Sequence, residues 1–298
     1  MSIAVIGAGK WGEALHFAFS YEGREVLITS RRKREIKNFV PLEEALKSEY
    51  LVFVISAQSV NEWLRNNYRY RQGQKILVAS KGIDTQTGKF LNEIFEEYAP
   101  KEALSFLTGP SFAAEVLKAL PTAVVINSHS EKTAEEFASF FPGFMKTYIS
   151  DDVIGAEICG AYKNVIAIAS GICDGLELGN NARASLIARG LVEMNRFGKY
   201  FNAKEETFLG LSGAGDLFLT ASSKLSRNYR VGFSLAKGKD LEEILKELKE
   251  VAEGVYTTDA VFKISEEKGI YTPIAREVWH ILRGKSPLKS LESLLENR

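Results

Sequence analysis

The sequence predicts an α/β chain, with a doubly wound parallel sheet in its first half and an all-helical second half. Three observations carry this expectation. Short apolar runs recur through residues 2–150, stretches of helical length separate them, and after Asp151 and Asp152 the runs stop while long helical patterns continue. In chain order the strand-like runs are residues 3–6, 25–29, 50–55, 75–79, 103–107 and 123–126. Most are rich in Val, Ile and Leu with little alternation, as strands covered on both faces should be. Between them, residues 13–20, 60–66, 89–98 and 131–140 have the length and periodicity of crossover helices. Residues 1–150 therefore read as one domain and 151–298 as a second, helical one, with the Asp pair capping its first long helix.

Composition narrows the function. Lys and Arg number 38 against 38 Asp and Glu, so no global positive field exists to attract nucleic acid. Two cysteines, Cys159 and Cys173, and three histidines, His16, His129 and His280, lack ligand-like spacing, so neither a disulfide framework nor a metal site is expected. A reducing, cytoplasmic compartment follows from that cysteine usage. The most apolar stretch, residues 153–173, holds Glu157, Lys163 and Asn164, which argues against membrane insertion. The acidic and basic run 240–250 reads as a solvated helix face.

Gly7-Ala8-Gly9-Lys10-Trp11-Gly12 has G-x-G-x-x-G spacing directly after the first strand and before a helical pattern. That context makes a weak motif a strong one and points to a Rossmann-type dinucleotide site. Gly7 permits the tight turn, Gly9 lets a pyrophosphate approach the backbone, and Gly12 lets helix and strand pack closely. The second strand ends in Thr29-Ser30-Arg31-Arg32, with no carboxylate for a ribose diol. The two guanidinium groups suit a 2′-phosphate, so NAD and NADP both remain open as the cofactor. The competing reading makes 31–37 the basic start of a surface helix.

Lys163 stands in Gly160-Ala161-Tyr162-Lys163-Asn164-Val165-Ile166-Ala167, among residues that belong inside. Burial disfavours an ammonium and brings a lysine toward general-base chemistry, although snorkelling or pairing with Glu157 would also explain it. Two segments supply partners. Leu211-Ser212-Gly213-Ala214-Gly215-Asp216 ends in a carboxylate, and Ser226-Arg227-Asn228 sets a hydroxyl, a guanidinium and an amide in succession, suited to a phosphate. Ser226 and Asp216 each also suit a helix N-cap. In the first domain Lys81 follows the 75–79 strand, and Gly109-Pro110-Ser111-Phe112-Ala113 follows the 103–107 strand, with Ser111 near a helix start.

Together these segments, with Asn181-Ala182-Arg183-Ala184 and Glu253-Gly254-Val255, make the chain resemble the NAD(P)-dependent glycerol-3-phosphate dehydrogenase family in its bacterial form. The resemblance implies a Rossmann domain followed by a helical domain. It implies interconversion of sn-glycerol 3-phosphate and dihydroxyacetone phosphate, small-molecule substrates that feed phospholipid synthesis. It further implies Lys163 as the proton acceptor. Lys81, Gly109, Ser111, Asp216, Ser226, Arg227 and Asn228 match substrate-contact positions, with Arg227 and Asn228 facing the phosphate. Lys10, Trp11, Arg31, Arg32, Lys81, Ala113, Arg227, Val251 and Glu253 match cofactor contacts, beside the turn glycines. Ile55-Ser56-Ala57-Gln58 departs from a usual Val-Pro pair, and Ala214 from a commoner leucine.

Two other readings share some of these features. Another Rossmann-plus-helical dehydrogenase, acting on a 3-hydroxyacyl or sugar-acid substrate, would not need Arg227-Asn228. A nicotinamide-sensing protein would not need a lysine in an apolar helix. The apolar helical faces of the second half can pack internally or against a twin, and of the two a homodimer is the preferred expectation.

Overall fold

A computed structural model describes residues 1–248 and 251–296, and it divides the chain into two compact units. The first comprises residues 1–81 and 91–156, the second residues 82–90 and 157–298. Grouping of the 82–90 loop with the helical unit is a feature the sequence did not announce.

In the first unit the order is β1 (Ile3–Ile6), α1 (Lys10–Ser20), β2 (Val26–Thr29), α2 (Leu42–Ala45), β3 (Tyr50–Phe53), α3 (Ala57–Asn67), β4 (Lys75–Val78), α4 (Leu91–Glu96), β5 (Leu104–Thr108), α5 (Ala113–Val116), β6 (Thr122–Asn127), α6 (Glu131–Ala138) and β7 (Met145–Ser150). The sheet order is β2-β1-β3-β4-β5-β6-β7. All neighbours through β5 are parallel, and so are β6 and β7. Strand β6 runs antiparallel to β5, which corrects the purely parallel expectation. Strand β7 was also missed, because it is an edge strand with only Met145 buried and therefore lacks the continuous apolar run of a covered strand.

Alternation within single strands divides the core. Ile3 and Val5 join Leu15, Phe19 and Phe137 on one face, while Ala4 and Ile6 join Leu64 and Phe95 on the other. Both faces are covered, which is why the strands read as unbroken apolar runs. From β1 the chain goes to β2 on one side and then to β3 on the other. That reversal opens a crevice outside the carboxyl ends of β1 and β3, where ligands of such sheets bind.

The second unit follows as α7 (Val153–Gly175, its first turn grouped with the sheet), α8 (Gly179–Tyr200), α9 (Glu205–Leu209), a π-helical turn over Leu211–Gly215, α10 (Asp216–Ala221), α11 (Arg227–Ala236), α12 (Leu241–Leu248), α13 (Glu253–Lys268), α14 (Pro273–Ile281) and α15 (Pro287–Glu296). The expected Asp cap is present: Asp152 Oδ1 accepts from the Gly155 N–H at 3.0 Å. Lys249 and Glu250, the end of the charged run, lie outside the described residues. Helix α7 is long and apolar enough to cross a membrane, yet 94% of its apolar window is buried within the protein.

Helix α7 meets α11 backbone to backbone. A Cβ at Gly232 would lie 1.9 Å from the Ile168 carbonyl oxygen, and one at Gly171 would lie 2.0 Å from that of Tyr229. Only glycine fits. Gly232→Ala is expected to lower unfolding stability by about 1–3 kcal/mol, the range for overpacking, as read by denaturant titration; an unchanged midpoint would show that the helices can separate freely.

Candidate functional site

In the first unit, aligned strand ends gather the predicted residues. Ile6 is in register with both Thr29 and Phe53, and Phe53 with Val78. Gly7, Arg31, Arg32 and Lys81 therefore all follow the carboxyl ends of neighbouring parallel strands. Gly7 has φ +117° and donates its N–H to the Thr29 carbonyl at 2.9 Å. A Cβ on it would stand 2.4 Å from the Val54 oxygen, so the left-handed turn and the close approach both demand glycine. Gly12 is just as constrained, since its Cβ would lie 1.8 Å from the Gly7 oxygen.

Gly9 differs. It is exposed at the N-cap of α1, with nothing within 4 Å of a Cβ built there. No packing inside the protein accounts for this glycine, while a pyrophosphate resting on the backbone at the amino end of α1 would. Lys10 is exposed and Trp11 half-buried beside it. Arg31 and Arg32 are exposed, in a non-helical loop. The surface-helix reading of 31–37 is thus set aside: Ser30 Oγ donates to the Arg32 carbonyl at 2.7 Å, and Asn38 and Val40 bond back to Ile28. Arg34, further along this loop, is paired with Glu13 at 3.2 Å. These groups fit a dinucleotide, with the turn glycines on its pyrophosphate and the two arginines suited to a 2′-phosphate.

The loops after β4 and β5 are pinned from within. Ser80 Oγ donates to the Ile55 carbonyl at 2.5 Å, which ties the segment carrying half-buried Lys81 to the end of β3. Gly109 takes φ +105° and is buried, and Ser111 Oγ donates to its carbonyl at 3.2 Å. The helix expected after Ser111 is a single turn that begins at Ala113.

In the second unit, Lys163 is 7% exposed, and its Nζ donates to Asp216 Oδ1 at 2.5 Å and to Thr220 Oγ1 at 3.2 Å. Asp216 is 2% exposed and also accepts from Thr220 at 3.3 Å. Asp216 does not cap a helix by its side chain; it opens α10 after the π-helical turn. That turn is packed so closely that a Cβ on Gly213 would sit 2.1 Å from the Phe208 oxygen. Burial and a facing carboxylate act oppositely on an ammonium, the first disfavouring charge and the second favouring it.

One residue along α7, Asn164 begins a chain of amides. Asn164 Nδ2 donates to the Gly160 carbonyl at 3.2 Å, Asn228 Nδ2 to Asn164 Oδ1 at 2.9 Å, and the Gly254 N–H to Asn228 Oδ1 at 3.0 Å. The donors and acceptors are mutually consistent, so α7, α11 and α13 are locked together beside Lys163. Ser226 caps α11 by accepting from the Tyr229 N–H at 3.2 Å, the capping role foreseen for it. Asn228 is buried with both ends of its amide engaged, whereas Arg227 is exposed. Val251 is exposed and half-buried Glu253 opens α13.

Thr220 was not anticipated, although its place four residues after Asp216 puts the two on one helix face. Glu193 was also missed. It is 2% exposed and accepts from Tyr162 Oη and from the Ile274 and Ala275 N–H groups at the amino end of α14. Burial pushes its carboxyl above the usual value despite these donors. No group of three or more His, Cys, Asp or Glu fit to hold a metal occurs among the described residues.

Sequence models of the NAD-dependent glycerol-3-phosphate dehydrogenase N-terminus and C-terminus match residues 34–134 and 152–292. A relative from Nitratiruptor sp., a glycerol-3-phosphate dehydrogenase [NAD(P)+], is 62% identical over 296 residues, which cover 99% of this chain and 98% of that one. Among solved structures, glycerol-3-phosphate dehydrogenase from Coxiella burnetii superposes with a TM-score of 0.93 at 31% identity, covering 99% of each chain. The enzyme from Saccharomyces cerevisiae gives 0.81 at 25% identity, covering 100% of this chain and 99% of that one.

Gly9→Ala separates packing from ligand approach. It is expected to leave thermal unfolding unchanged, because the Cβ meets nothing, while weakening NADH binding about tenfold or more in a fluorescence titration. Undiminished affinity would show that no ligand approaches the turn there.

Proposed function

This chain belongs to the NAD-dependent glycerol-3-phosphate dehydrogenase family, and from that premise we propose that Lys163 is the residue that handles the proton in its reaction. The reaction interconverts sn-glycerol 3-phosphate and dihydroxyacetone phosphate, which provides glycerol 3-phosphate for phospholipid synthesis. The observation that carries the assignment is a buried lysine whose Nζ is held by one carboxylate and one hydroxyl. A bound nicotinamide supplies the hydride donor or acceptor.

As C2 of glycerol 3-phosphate loses hydride, Lys163 Nζ takes the proton of the C2 hydroxyl, leaving a carbonyl. In reverse, the ammonium gives that proton to the forming C2 alkoxide. Asp216 orients Nζ and balances its charge, and Thr220 holds the carboxylate in place. Arg227 is the substrate-phosphate ligand, with Ser226 and Asn228 setting its helix and Lys81, Gly109 and Ser111 contributing further substrate contacts. The turn from Gly7 to Gly12, with Arg31 and Arg32, binds the cofactor, to which Lys81, Ala113, Arg227, Val251 and Glu253 add contacts. The reading includes a cytoplasmic location, supported by two buried free thiols, and a homodimer, supported by exposed Val192, Tyr200 and Leu209 in the helical unit.

Absorbance at the reduced-nicotinamide band with dihydroxyacetone phosphate tests the reaction directly. Lys163→Ala should lower kcat about a hundredfold to ten-thousandfold with NADH binding retained; undiminished turnover would reject its role. Arg227→Ala should raise KM for dihydroxyacetone phosphate about tenfold to a hundredfold, and an unchanged KM would remove it from the phosphate. Replacing Arg31 and Arg32 together by Ala should raise KM for NADPH and leave that for NADH unaltered. Equal effects on both cofactors would show that these guanidinium groups do not read the 2′-phosphate.

A further inference from the structure

The segment Asn181-Ala182-Arg183-Ala184 has no part in the proton transfer or in the cofactor turn, yet its arginine is tied to the helix that begins with Arg227. Asp174, near the end of α7, accepts on Oδ2 from Arg183 Nη1 at 2.7 Å and, on the same oxygen, from the Tyr229 hydroxyl. Arg183 Nη2 donates in turn to Asn180 Oδ1 at 3.0 Å. The Asp174 side chain is 19% exposed, that of Arg183 31%, and Tyr229 is buried. Burial first, then the Asp174 carboxylate, pushes the Tyr229 phenol up to about 12, so it remains a donor at any neutral pH.

Asp174 lies between the two glycines at which α7 meets α11. A Cβ at Gly171 would stand 2.0 Å from the Tyr229 oxygen, and one at Gly175 would stand 2.8 Å from that of Phe233. Backbone contact of this kind sets how close two helices come. Rotation about the helix axis is fixed by directional hydrogen bonds, and those from α11 to α7 include Asn228 to Asn164 and, one residue on, Tyr229 to Asp174. Tyr229 and Arg227 are two residues apart, nearly opposite on the helix, so a bond that draws Tyr229 toward α7 turns Arg227 outward. Arg227 is exposed, as that geometry requires.

We propose that Asp174, held by Arg183, is a positioning residue for the substrate phosphate, acting through Tyr229 to set the rotation of α11 and so the presentation of Arg227. This rests on reading Arg227 as the phosphate ligand. It gives Arg183 a task in the reaction though it touches no reacting atom.

The test is steady-state kinetics on the full chain with dihydroxyacetone phosphate and NADH, using Tyr229→Phe and Asp174→Asn, each alone and in an Arg227→Ala background. Expected are a KM for dihydroxyacetone phosphate raised about threefold to tenfold, the worth of one hydrogen bond, with kcat unaltered. In the Arg227→Ala background the same substitutions should add nothing further to KM. Tyr229→Phe deletes one oxygen and keeps the ring, so it carries the test even if Asp174→Asn fails to fold. An unchanged KM in folded Tyr229→Phe overturns the proposal, as does a rise that persists in full without Arg227 or a fall in kcat of equal size. If Arg227→Ala alone leaves KM unchanged, the phosphate assignment beneath the proposal has failed instead.

Discussion

The buried ion pair between Lys163 and Asp216 is the constraint on which the helical unit depends. Removing two charges from water costs several kcal/mol for each, and stripping one partner of such a pair away costs about 3–5 kcal/mol. Such a pair survives only in tight geometry with its remaining polar atoms satisfied. Here Thr220 bonds both members, and the Asn164–Asn228–Gly254 chain fixes the backbone of the next residue along α7. Burial disfavours the ammonium while the facing carboxylate favours it, and the proposed proton transfer rests on that balance.

Glycine does the complementary work. At Gly7 and Gly12 it brings the first strand and helix close enough to form a phosphate-sized turn, and at Gly171 and Gly232 it brings α11 down onto α7. In each case the missing Cβ allows backbone to meet backbone. Gly9 is the exception, as the space beside it is open.

Much of this was legible in the sequence because it is local. The cofactor turn is six consecutive residues in a strand-turn-helix context, and Lys163 stands out as a charge in an apolar run. The covered strands β1 and β3 declare themselves by unbroken burial. What escaped depends on contacts between distant segments or on half-exposed patterns. Strand β7 buries only Met145 and so lacks an apolar run. The reversal of β6 against β5 follows from a connection, not from residue preference. Arg31 and Arg32 look helical by composition, yet Asn38 and Val40 return to pair with Ile28 and hold the loop open. Thr220 and Asp174 acquire meaning only once Lys163 and Tyr229 are placed beside them.

The central claim is that Lys163 Nζ carries the proton, and rescue of Lys163→Ala by added primary amines tests it most directly. In a variant shown to be folded and to bind NADH and dihydroxyacetone phosphate, small amines should restore turnover in proportion to their concentration. Among amines of similar size the rate should follow basicity. Rescue that ignores basicity, or none across the series, would contradict a proton-transfer role and leave Lys163 as a charge that only holds Asp216 in place.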